Sequence, residues 1–402
     1  MAGEWFESSL ADVAVDIAYG YTESASNDII GPHFLRITDI QNGVVDWTSV
    51  PYCPISKSDH EKYRLLEGDI VVARTGNSTG ENYMFQGDKD AVFASYLIRF
   101  RINREKAEPR FVWYNLRTQD WWNFINNSKT GSAQAGANAK VLGLFRFPLP
   151  PLAEQKAIAA VLNALDDKIE LNRRMNETLE ALTQTLFKSW FVDATASGLP
   201  KGWREGSILE IAKLLSGGTP KTEREDYWNG DIFWASAKDV SQCGQTFLVA
   251  TERTITAKGL EESSTQLIPA FCTVVVARGA TTGRMTMFGR EMAMNQTCYA
   301  LSSTTNTPFA LYCLFRLAID SLVQNAHGSV FDTITTSTFA ASKVILPTQD
   351  VFASFEKTVS PLFKRVLANI EESRTLAALR ATLLSKLLSG EIKAPAIKET
   401  KK

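Results

Sequence analysis

Two polar loops each follow a run rich in β-branched residues, and their side chains are of the types that bind nucleic acid. The runs Asp69–Ala73 and Thr273–Ala277 are typical of strands buried on both faces. The loop side chains are hydrogen-bond donors suited to phosphate oxygens and base edges. They are Arg74, Thr75, Asn77, Ser78 and Thr79 after the first run, and Arg278, Thr281, Thr282 and Arg284 after the second. Two related loops of this composition suit two half-sites on DNA.

Other polar candidates lie in connections that recur in the same order in both halves of the chain. They are Tyr21, Thr22, Lys129, Ser132 and Gln134 in the first half, and Thr219, Lys221, His327 and Ser329 in the second. Glycine-bearing connections of this kind are more often plain turns than contacts. We interpret Arg74 and Arg278 as equivalent residues, with the second loop one residue shorter. A structural role for both, in which they satisfy loop carbonyls or pair with an acid, fits the sequence equally well.

Signatures of catalysis and of metal binding are missing from the sequence. It contains no G-x-x-x-x-G-K-[ST] phosphate loop, no G-x-G-x-x-G after a strand, no H-E-x-x-H helix and no G-x-S-x-G elbow. The three histidines lack metal-ligand spacing. The five cysteines include no C-x-x-C pair, which favours reduced thiols packed as small apolar residues. We therefore expect no enzyme activity, cofactor or metal on this chain, although the sequence leaves a Cys–His nucleophile pair open.

Length, composition and charge are those of a globular protein with two or three domains. The 402 residues are 45% hydrophobic and 22% charged, with a net charge of −1. No apolar run approaches the ~18–20 residues of a membrane span, and the first residues lack the layout of a signal peptide. We therefore expect a cytoplasmic protein without membrane contact. The near-neutral charge indicates that nucleic acid would be bound through local patches, or with help from partner proteins.

The elements that position the loops occur twice in the same order. We expect strands over His33–Ile40, Ala91–Arg101 and Ile232–Val240. Helices are expected over Arg110–Ile125 and Pro308–Val323, packed on the sheets. This order predicts an α+β (mixed α/β) fold with two similar globular domains, over residues 1–147 and 197–346.

Two long helices follow these domains, over residues 148–196 and 347–392, and repeat each other at an offset of 197 residues. Their apolar residues recur at steps of three and four. A stripe of about 40 residues is ~60 Å long, so we expect the helices to pack on each other as an antiparallel coiled coil with pseudo-two-fold symmetry. Residues 393–402 are expected to be a disordered tail. The expected packing residues are Leu165, Ile169, Asn172, Leu179, Leu182 and Leu186, with Leu362, Val366, Asn369, Leu376, Leu379 and Leu383.

Several motifs resemble the specificity subunit of type I restriction–modification systems. They are Phe147–Gln155 (FPLPPLAEQ), Leu199–Trp203 (LPKGW), and Ser216–Pro220 (SGGTP) followed by Tyr227–Ile232 (YWNGDI). With the order globule, helix, globule, helix, the resemblance covers nearly the whole chain. The second long helix departs from the pattern, because Leu346–Val351 (LPTQDV) lacks the Glu-Gln pair.

The resemblance implies that each globule reads one half of a bipartite, asymmetric target on double-stranded DNA. The long helices would act as spacer and as dock for two methyltransferase subunits, which would bind S-adenosylmethionine and methylate adenine N6. Restriction subunits would add cleavage that uses ATP and Mg²⁺. Domains about one DNA turn, or ~34 Å, apart would leave a gap of roughly 5–8 base pairs. We expect a four-residue insertion near Leu179 to lengthen that gap.

Three other interpretations stay open at this point. A reader fused to its own methyltransferase or nuclease would need an S-adenosylmethionine loop and an Asn/Asp-Pro-Pro-aromatic motif, which the sequence lacks. A specificity-like protein of another phage-defence system would share the recognition domains. A structural protein with two modules that bind something other than DNA would show no sequence-selective DNA binding.

Overall fold

The chain divides into two compact units, and each long helix belongs partly to both. A computed structural model describes residues 5–129, 137–326 and 333–395. The first unit lies within Met1–Asp167 and Leu376–Lys402, and the second is Lys168–Thr375. No helix in the described part of the chain is long and apolar enough to cross a membrane.

The first unit begins with short strands and ends in the first long helix. Its strands are β1 (Phe6–Ser9), β2 (Ala14–Tyr19), β3 (His33–Leu35), β4 (Ile70–Ala73), β5 (Asn82–Met84), β6 (Ala91–Phe93), β7 (Leu97–Ile102) and β8 (Arg146–Leu149). Its helices are α1 (Leu10–Val13), α2 (Lys57–Tyr63), α3 (Pro109–Asn115), α4 (Gln119–Lys129), α5 (Ala139–Gly143) and the start of α6 (Leu152–Phe187).

An antiparallel sheet in the order β2-β7-β4-β5 forms the centre of the first unit. Strands β3 and β6 pair in parallel, and β1 pairs with β8 antiparallel. One face of the central sheet packs on α3 and α4 in a core that includes Phe100, Phe111 and Trp121. Leu162 and Leu387, one from each long helix, belong to the same core. The long helices are therefore part of this unit's hydrophobic interior.

The second unit repeats this arrangement with additional strands. Its strands are β9 (Arg204–Ser207), β10 (Ala212–Ser216), β11 (Trp228–Ala235), β12 (Phe247–Leu248), β13 (Arg253–Ile255), β14 (Leu267–Ile268), β15 (Thr273–Val276), β16 (Met285–Phe288), β17 (Met292–Met294), β18 (Cys298–Ser303) and β19 (Lys343–Leu346). Its helices are α7 (Ala237–Gln242), α8 (Ala257–Glu261), α9 (Pro308–Ala326), α10 (Thr336–Ala341) and most of α11 (Gln349–Leu388).

Each sheet of the first unit has a counterpart in the second, where β12, β13 and β14 are additional strands. The order β10-β18-β15-β16-β12 corresponds to β2-β7-β4-β5 with one added strand. The parallel pair β11–β17 corresponds to β3–β6, and the antiparallel pair β9–β19 to β1–β8. Phe187, Phe355 and Phe363 of the long helices pack with Phe309 and Phe315 of α9. The mixed α/β fold with an internal repeat is therefore as expected from the sequence.

Three expected strands and one expected helix are shorter or interrupted. Only His33–Leu35 is a strand, and the following turn still buries Ile40 completely. The expected strand Ala91–Arg101 is two strands in different sheets, separated by a turn in which Leu97 N donates to Ala94 O at 2.8 Å. The helix expected over Arg110–Ile125 is α3 and α4. Residues therefore stay buried in segments where the backbone forms a turn and not the expected strand or helix.

A capping box and a strand pairing explain the bounds of two further elements. The strand expected to reach Val240 ends at Ala235, because Ser236 and Asp239 form a capping box that begins α7. The first long helix begins at Leu152 because the preceding Arg146–Leu149 pairs with Phe6–Ser9 as a strand. It continues beyond Phe187 as a π-helical turn over Lys188–Val192.

The two long helices begin with different polar contacts. Gln155 is buried, and its Oε1 accepts a hydrogen bond from Glu108 N at 2.9 Å. At the matching place in the second helix stands Phe352, which is also buried. The amide of Thr307, next to the first residue of α9, instead donates its hydrogen bond to Ser303 Oγ at 3.0 Å. In the second unit a serine therefore accepts the hydrogen bond that the glutamine of the motif accepts in the first.

Candidate nucleic-acid interface

The loop after β4 is held in shape by its own backbone and one threonine. Gly80 N donates to Ala73 O at 2.9 Å, and Thr79 Oγ1 donates to Gly76 O at 2.7 Å. Gly76 and Gly80 have φ of +68° and +99°, values that residues other than glycine rarely adopt. The loop is therefore a fixed turn that presents its remaining side chains from a defined backbone.

The loop after β15 has the same framework. Gly283 N donates to Val276 O at 2.9 Å, and Thr282 Oγ1 donates to Gly279 O at 2.7 Å. Gly279 and Gly283 again have positive φ, +98° and +89°. These contacts match those of the first loop at an offset of 203 residues throughout. Both units therefore build the same turn at the end of the same strand.

This framework corrects the expected equivalence of the two arginines. At the common offset, Arg74 corresponds to Ala277, and Arg278 corresponds to Thr75, so the loops have equal length. Ala277 is completely buried. Two arginines one position apart can be aligned by opening a gap, so identical residue types suggest the wrong register. Backbone hydrogen bonds, which the sequence does not show, fix the true register.

Arg74 makes the structural contacts that the sequence left open. Its Nε donates to Ser95 O at 3.0 Å, and its guanidinium lies 5.2 Å from the ring centroid of Tyr19. Arg278 and Arg284 are exposed in the second loop. The two loops therefore present different charges from the same backbone, with the first arginine partly committed to its own unit.

The threonines of the two loops are not equally available. Thr79 is completely buried and its hydroxyl is bound to Gly76, so the expected DNA contact by Thr79 is wrong. Thr282 is half-buried and uses its hydroxyl in the same way. Asn77 and Thr281 are exposed, and Thr75 and Ser78 are half-buried. Exposure rather than residue type separates the candidates in these loops.

A second connection in each unit runs beside β6 or its counterpart β17, since Tyr21 N donates to Phe93 O at 2.7 Å and Gly218 N donates to Met294 O at 2.9 Å. Tyr21 is half-buried against Tyr63, with ring centroids 5.2 Å apart, and Thr22 is exposed. In the second unit, Thr219 is hydrogen-bonded to Gln296, and Lys221 is exposed.

One glycine in each of these connections has no room for a side chain. A Cβ on Gly20 would lie 2.2 Å from Ala94 O, and a Cβ on Gly217 would lie 2.2 Å from Met294 O. These glycines therefore allow the chain to pass directly against a neighbouring strand. Ser132, Gln134, His327 and Ser329 lie outside the described residues, as does the side chain of Lys129.

The long helices pack on each other through a polar network within the second unit. Asn172 Nδ2 donates to Glu372 Oε2 at 2.8 Å, and Asn369 Nδ2 donates to Asn176 Oδ1 at 2.8 Å. Asn172 and Asn369 are both buried. The pairing places the helix segments antiparallel. An amide network of this kind fixes which residues face each other, because a shift would leave buried polar groups unpaired.

The expected apolar stripe is only partly buried. Val366 is buried, and the half-buried members are Leu165, Ile169, Leu179, Leu186, Leu362, Leu376 and Leu383. Leu182 and Leu379 are 44% and 45% exposed, so this single chain does not bury them as the predicted stripe requires. Each long helix therefore has one exposed leucine along the predicted stripe.

The four buried thiols are poorly suited to nucleophilic chemistry. Burial raises the pKa of Cys53 to about 11 and that of Cys298 to about 12, so both stay protonated near neutral pH. The same cause raises the pKa of Cys272 and Cys313. Among the described residues, no group of histidine, cysteine and carboxylate side chains is placed to hold a metal ion.

Two tryptophans of β11 support the second connection, and sequence reasoning did not identify them. Trp234 Nε1 donates to Gly218 O at 3.0 Å, and Trp228 Nε1 donates to Lys221 O at 3.2 Å. Both indoles are buried. Their type and spacing in the sequence gave a signal of burial, but only the fold shows that each N–H reaches a loop carbonyl.

Comparison with known proteins assigns the family. The model of the type I restriction modification DNA specificity domain matches residues 4–181 and again residues 200–372. The chain belongs to this family. The two matches fall on the two halves that repeat the same fold, and together they span most of the sequence.

Relatives of this specificity-subunit family align along most of the chain. The specificity subunit of the type I restriction enzyme HindI from Haemophilus influenzae is 22% identical, and the alignment covers 97% of this chain and all of that one. The MjaIX specificity subunit from Methanocaldococcus jannaschii is 24% identical over 81% of this chain and 75% of its own.

The fold also matches a solved structure. The S subunit of the type I restriction–modification system from M. genitalium superposes with a TM-score of 0.67 at 16% identity, over 98% of this chain and 97% of that one. At this identity the match establishes the fold alone.

Proposed function

We propose that this specificity subunit reads a bipartite, asymmetric DNA target, with one half read by each unit. The observation that supports this most strongly is the repeated loop framework. Gly76 and Thr79 in one unit, and Gly279 and Thr282 in the other, hold the same turn with the same contacts. The side chains that the two turns expose are different. A common scaffold with different exposed donors is what two readers of different sequences require.

The exposed or half-buried loop side chains are the proposed DNA contacts. In the first unit they are Tyr21, Thr22, Arg74, Thr75, Asn77 and Ser78, and in the second Thr219, Lys221, Arg278, Thr281, Thr282 and Arg284. Lys129, Ser132, Gln134, His327 and Ser329 remain proposals from the sequence. Arg278 and Arg284 rank first, because exposed guanidinium groups bind phosphate and guanine through two parallel hydrogen bonds.

The long helices are the proposed spacer and docking surface for two methyltransferase subunits. Their polar network fixes one helix register, and Leu182 and Leu379 leave apolar positions exposed. Methyltransferase and restriction subunits would supply S-adenosylmethionine, ATP and Mg²⁺ chemistry. This chain would then be non-catalytic, and its four buried thiols fit that role. The near-neutral charge fits a protein whose partners complete the grip on the duplex.

Mobility-shift assays with the full chain test this function. Duplexes with random sequence are selected for binding with and without a co-expressed methyltransferase subunit. We expect selection of one motif made of two short halves, more strongly with the partner present. If neither condition selects a sequence, the chain is not a DNA reader.

A further inference from the structure

The connection Ser216–Lys221 is supported from below by a pair of perpendicular indoles. Trp228 and Trp234 are 6% and 5% exposed, and their rings meet edge to face with centroids 5.2 Å apart. Each N–H donates to a backbone carbonyl of the connection, at Lys221 and Gly218. Both indole N–H groups are hydrogen-bonded and both rings are buried. The two indoles therefore form a rigid support for a segment proposed to face DNA.

The side chain of Arg253 lies on this pair of indoles. It lies on β13 directly opposite Trp234 of β11 in the antiparallel register. Its guanidinium carbon lies 3.4 Å from the ring centroid of Trp228 and 5.8 Å from that of Trp234. Thr251 fixes the backbone here, because its hydroxyl donates to Arg253 O at 2.6 Å and accepts from Trp234 N at 3.2 Å. The guanidinium is therefore held flat on an aromatic surface.

Within the part of the chain that the structure describes, no acidic neighbour neutralises the charge of this guanidinium. Arg253 is exposed. The adjacent Glu252 is engaged by Lys238, whose Nζ lies 2.6 Å from its Oε2. In residues 137–326 and the other described segments, no carboxylate forms an ion pair with Arg253. Comparable arginines of this unit differ: Arg224 is also stacked on an aromatic ring, but it is paired with Asp226 at 2.8 Å.

We propose that Arg253 is a DNA contact of the second unit, adjacent to the connection that contains Thr219 and Lys221. The proposal rests on the proposed function. The guanidinium N–H groups of Arg253 would bind a pair of acceptors in one plane, either two phosphate oxygens or O6 and N7 of a guanine. Stacking on Trp228 leaves the edge of the guanidinium available and reduces the conformational freedom that binding would otherwise cost.

Arg253→Met is the main test, because it removes the charge and keeps an aliphatic cover on Trp228. Arg253→Lys keeps the charge without the planar donor pair. Arg204→Ala is the matched control, since Arg204 is an exposed arginine of the same unit that is paired with Glu210 at 2.6 Å. Each full-length variant is co-expressed with the methyltransferase subunit and first compared by thermal unfolding, so that loss of fold is separated from loss of contact.

Binding to the selected duplex is then measured over a range of salt concentrations. We expect Arg253→Met to bind about five- to 150-fold more weakly, Arg253→Lys to lie between, and Arg204→Ala to match the wild type. A phosphate contact predicts equal weakening on all sequences and a salt slope smaller by about one. A guanine contact predicts loss of preference at one position of the half-site read by the second unit.

Two results overturn the inference, and they are distinguishable. If the wild type selects a sequence and Arg253→Met binds it with the same affinity, salt slope and preference, Arg253 does not contact DNA although the proposed function stands. If the wild type and Arg204→Ala select no sequence, the proposed function fails and the inference fails with it.

Discussion

Glu356 connects the second long helix to the first turn of α9 within the second unit, and its ionisation should make stability depend on pH. Its Oε2 accepts a hydrogen bond from Ala310 N at 2.8 Å. Burial raises the pKa of this carboxyl from 4.5 to about 7, although backbone hydrogen bonds from Ala310 and Phe309 oppose the change. The folded protein therefore binds a proton here more tightly than the unfolded chain does.

The magnitude follows from this difference in pKa. Because the folded-state pKa is the higher one, the stabilisation is complete below about pH 4.5 and is lost as the pH rises through about 7. Without screening, the difference corresponds to roughly 3 kcal/mol. Glu356 is half-buried, so screening by solvent reduces the expected effect to about 1–2 kcal/mol.

Urea unfolding of Glu356→Gln at about pH 5 and about pH 8 measures the effect. The glutamine keeps an oxygen acceptor for Ala310 N but does not ionise. Relative to the wild type, the variant should gain about 1–2 kcal/mol of unfolding free energy between the two pH values. Glu291→Gln changes an exposed glutamate of the same unit and should show no such gain. If the difference between Glu356→Gln and wild type is the same at both pH values, the reasoning is refuted.

Three further perturbations test the loops and the helices. Gly217→Ala would place a Cβ 2.2 Å from Met294 O, so denaturant unfolding should show a loss of about 1–3 kcal/mol; wild-type stability would contradict the close approach. A double-mutant cycle of Asn176→Ala and Asn369→Ala should give a coupling of about 0.5–1.5 kcal/mol, and a coupling of zero would show that their hydrogen bond is not formed. Four residues inserted in both long helices, where each passes from one unit to the other, should lengthen the gap found by methylation mapping; altered half-sites at an unchanged gap would disprove the spacer role.

The long helices could be predicted because their periodicity is local and extends over many turns. Their starting residues could not, since the segment before Leu152 forms a strand only by pairing with Phe6–Ser9. The sequence also could not show that Leu182 and Leu379 are exposed. A stripe of leucines indicates an apolar face, but the partner that covers each leucine depends on the tertiary structure.

Residue type is enough to locate the candidate loops, but it does not show the role of each side chain. Thr79 and Asn77 are both polar, but the hydroxyl of Thr79 closes the turn while Asn77 is exposed. The sequence does not single out Arg253, because it lies in a short strand without a polar loop motif. Only the antiparallel register places it on Trp228. The role of each side chain therefore depends on contacts between residues distant in sequence, which local patterns do not show.

The most direct test of the account is to sequence the methylome of a host that expresses this chain with its methyltransferase subunit. The account predicts a single new motif of methylated adenines, asymmetric and made of two short halves with a fixed gap. Replacing residues 197–346 with those of another specificity subunit should change one half and preserve the other. A new motif that is continuous, or one in which that exchange alters both halves, would contradict the claim that each unit reads its own half.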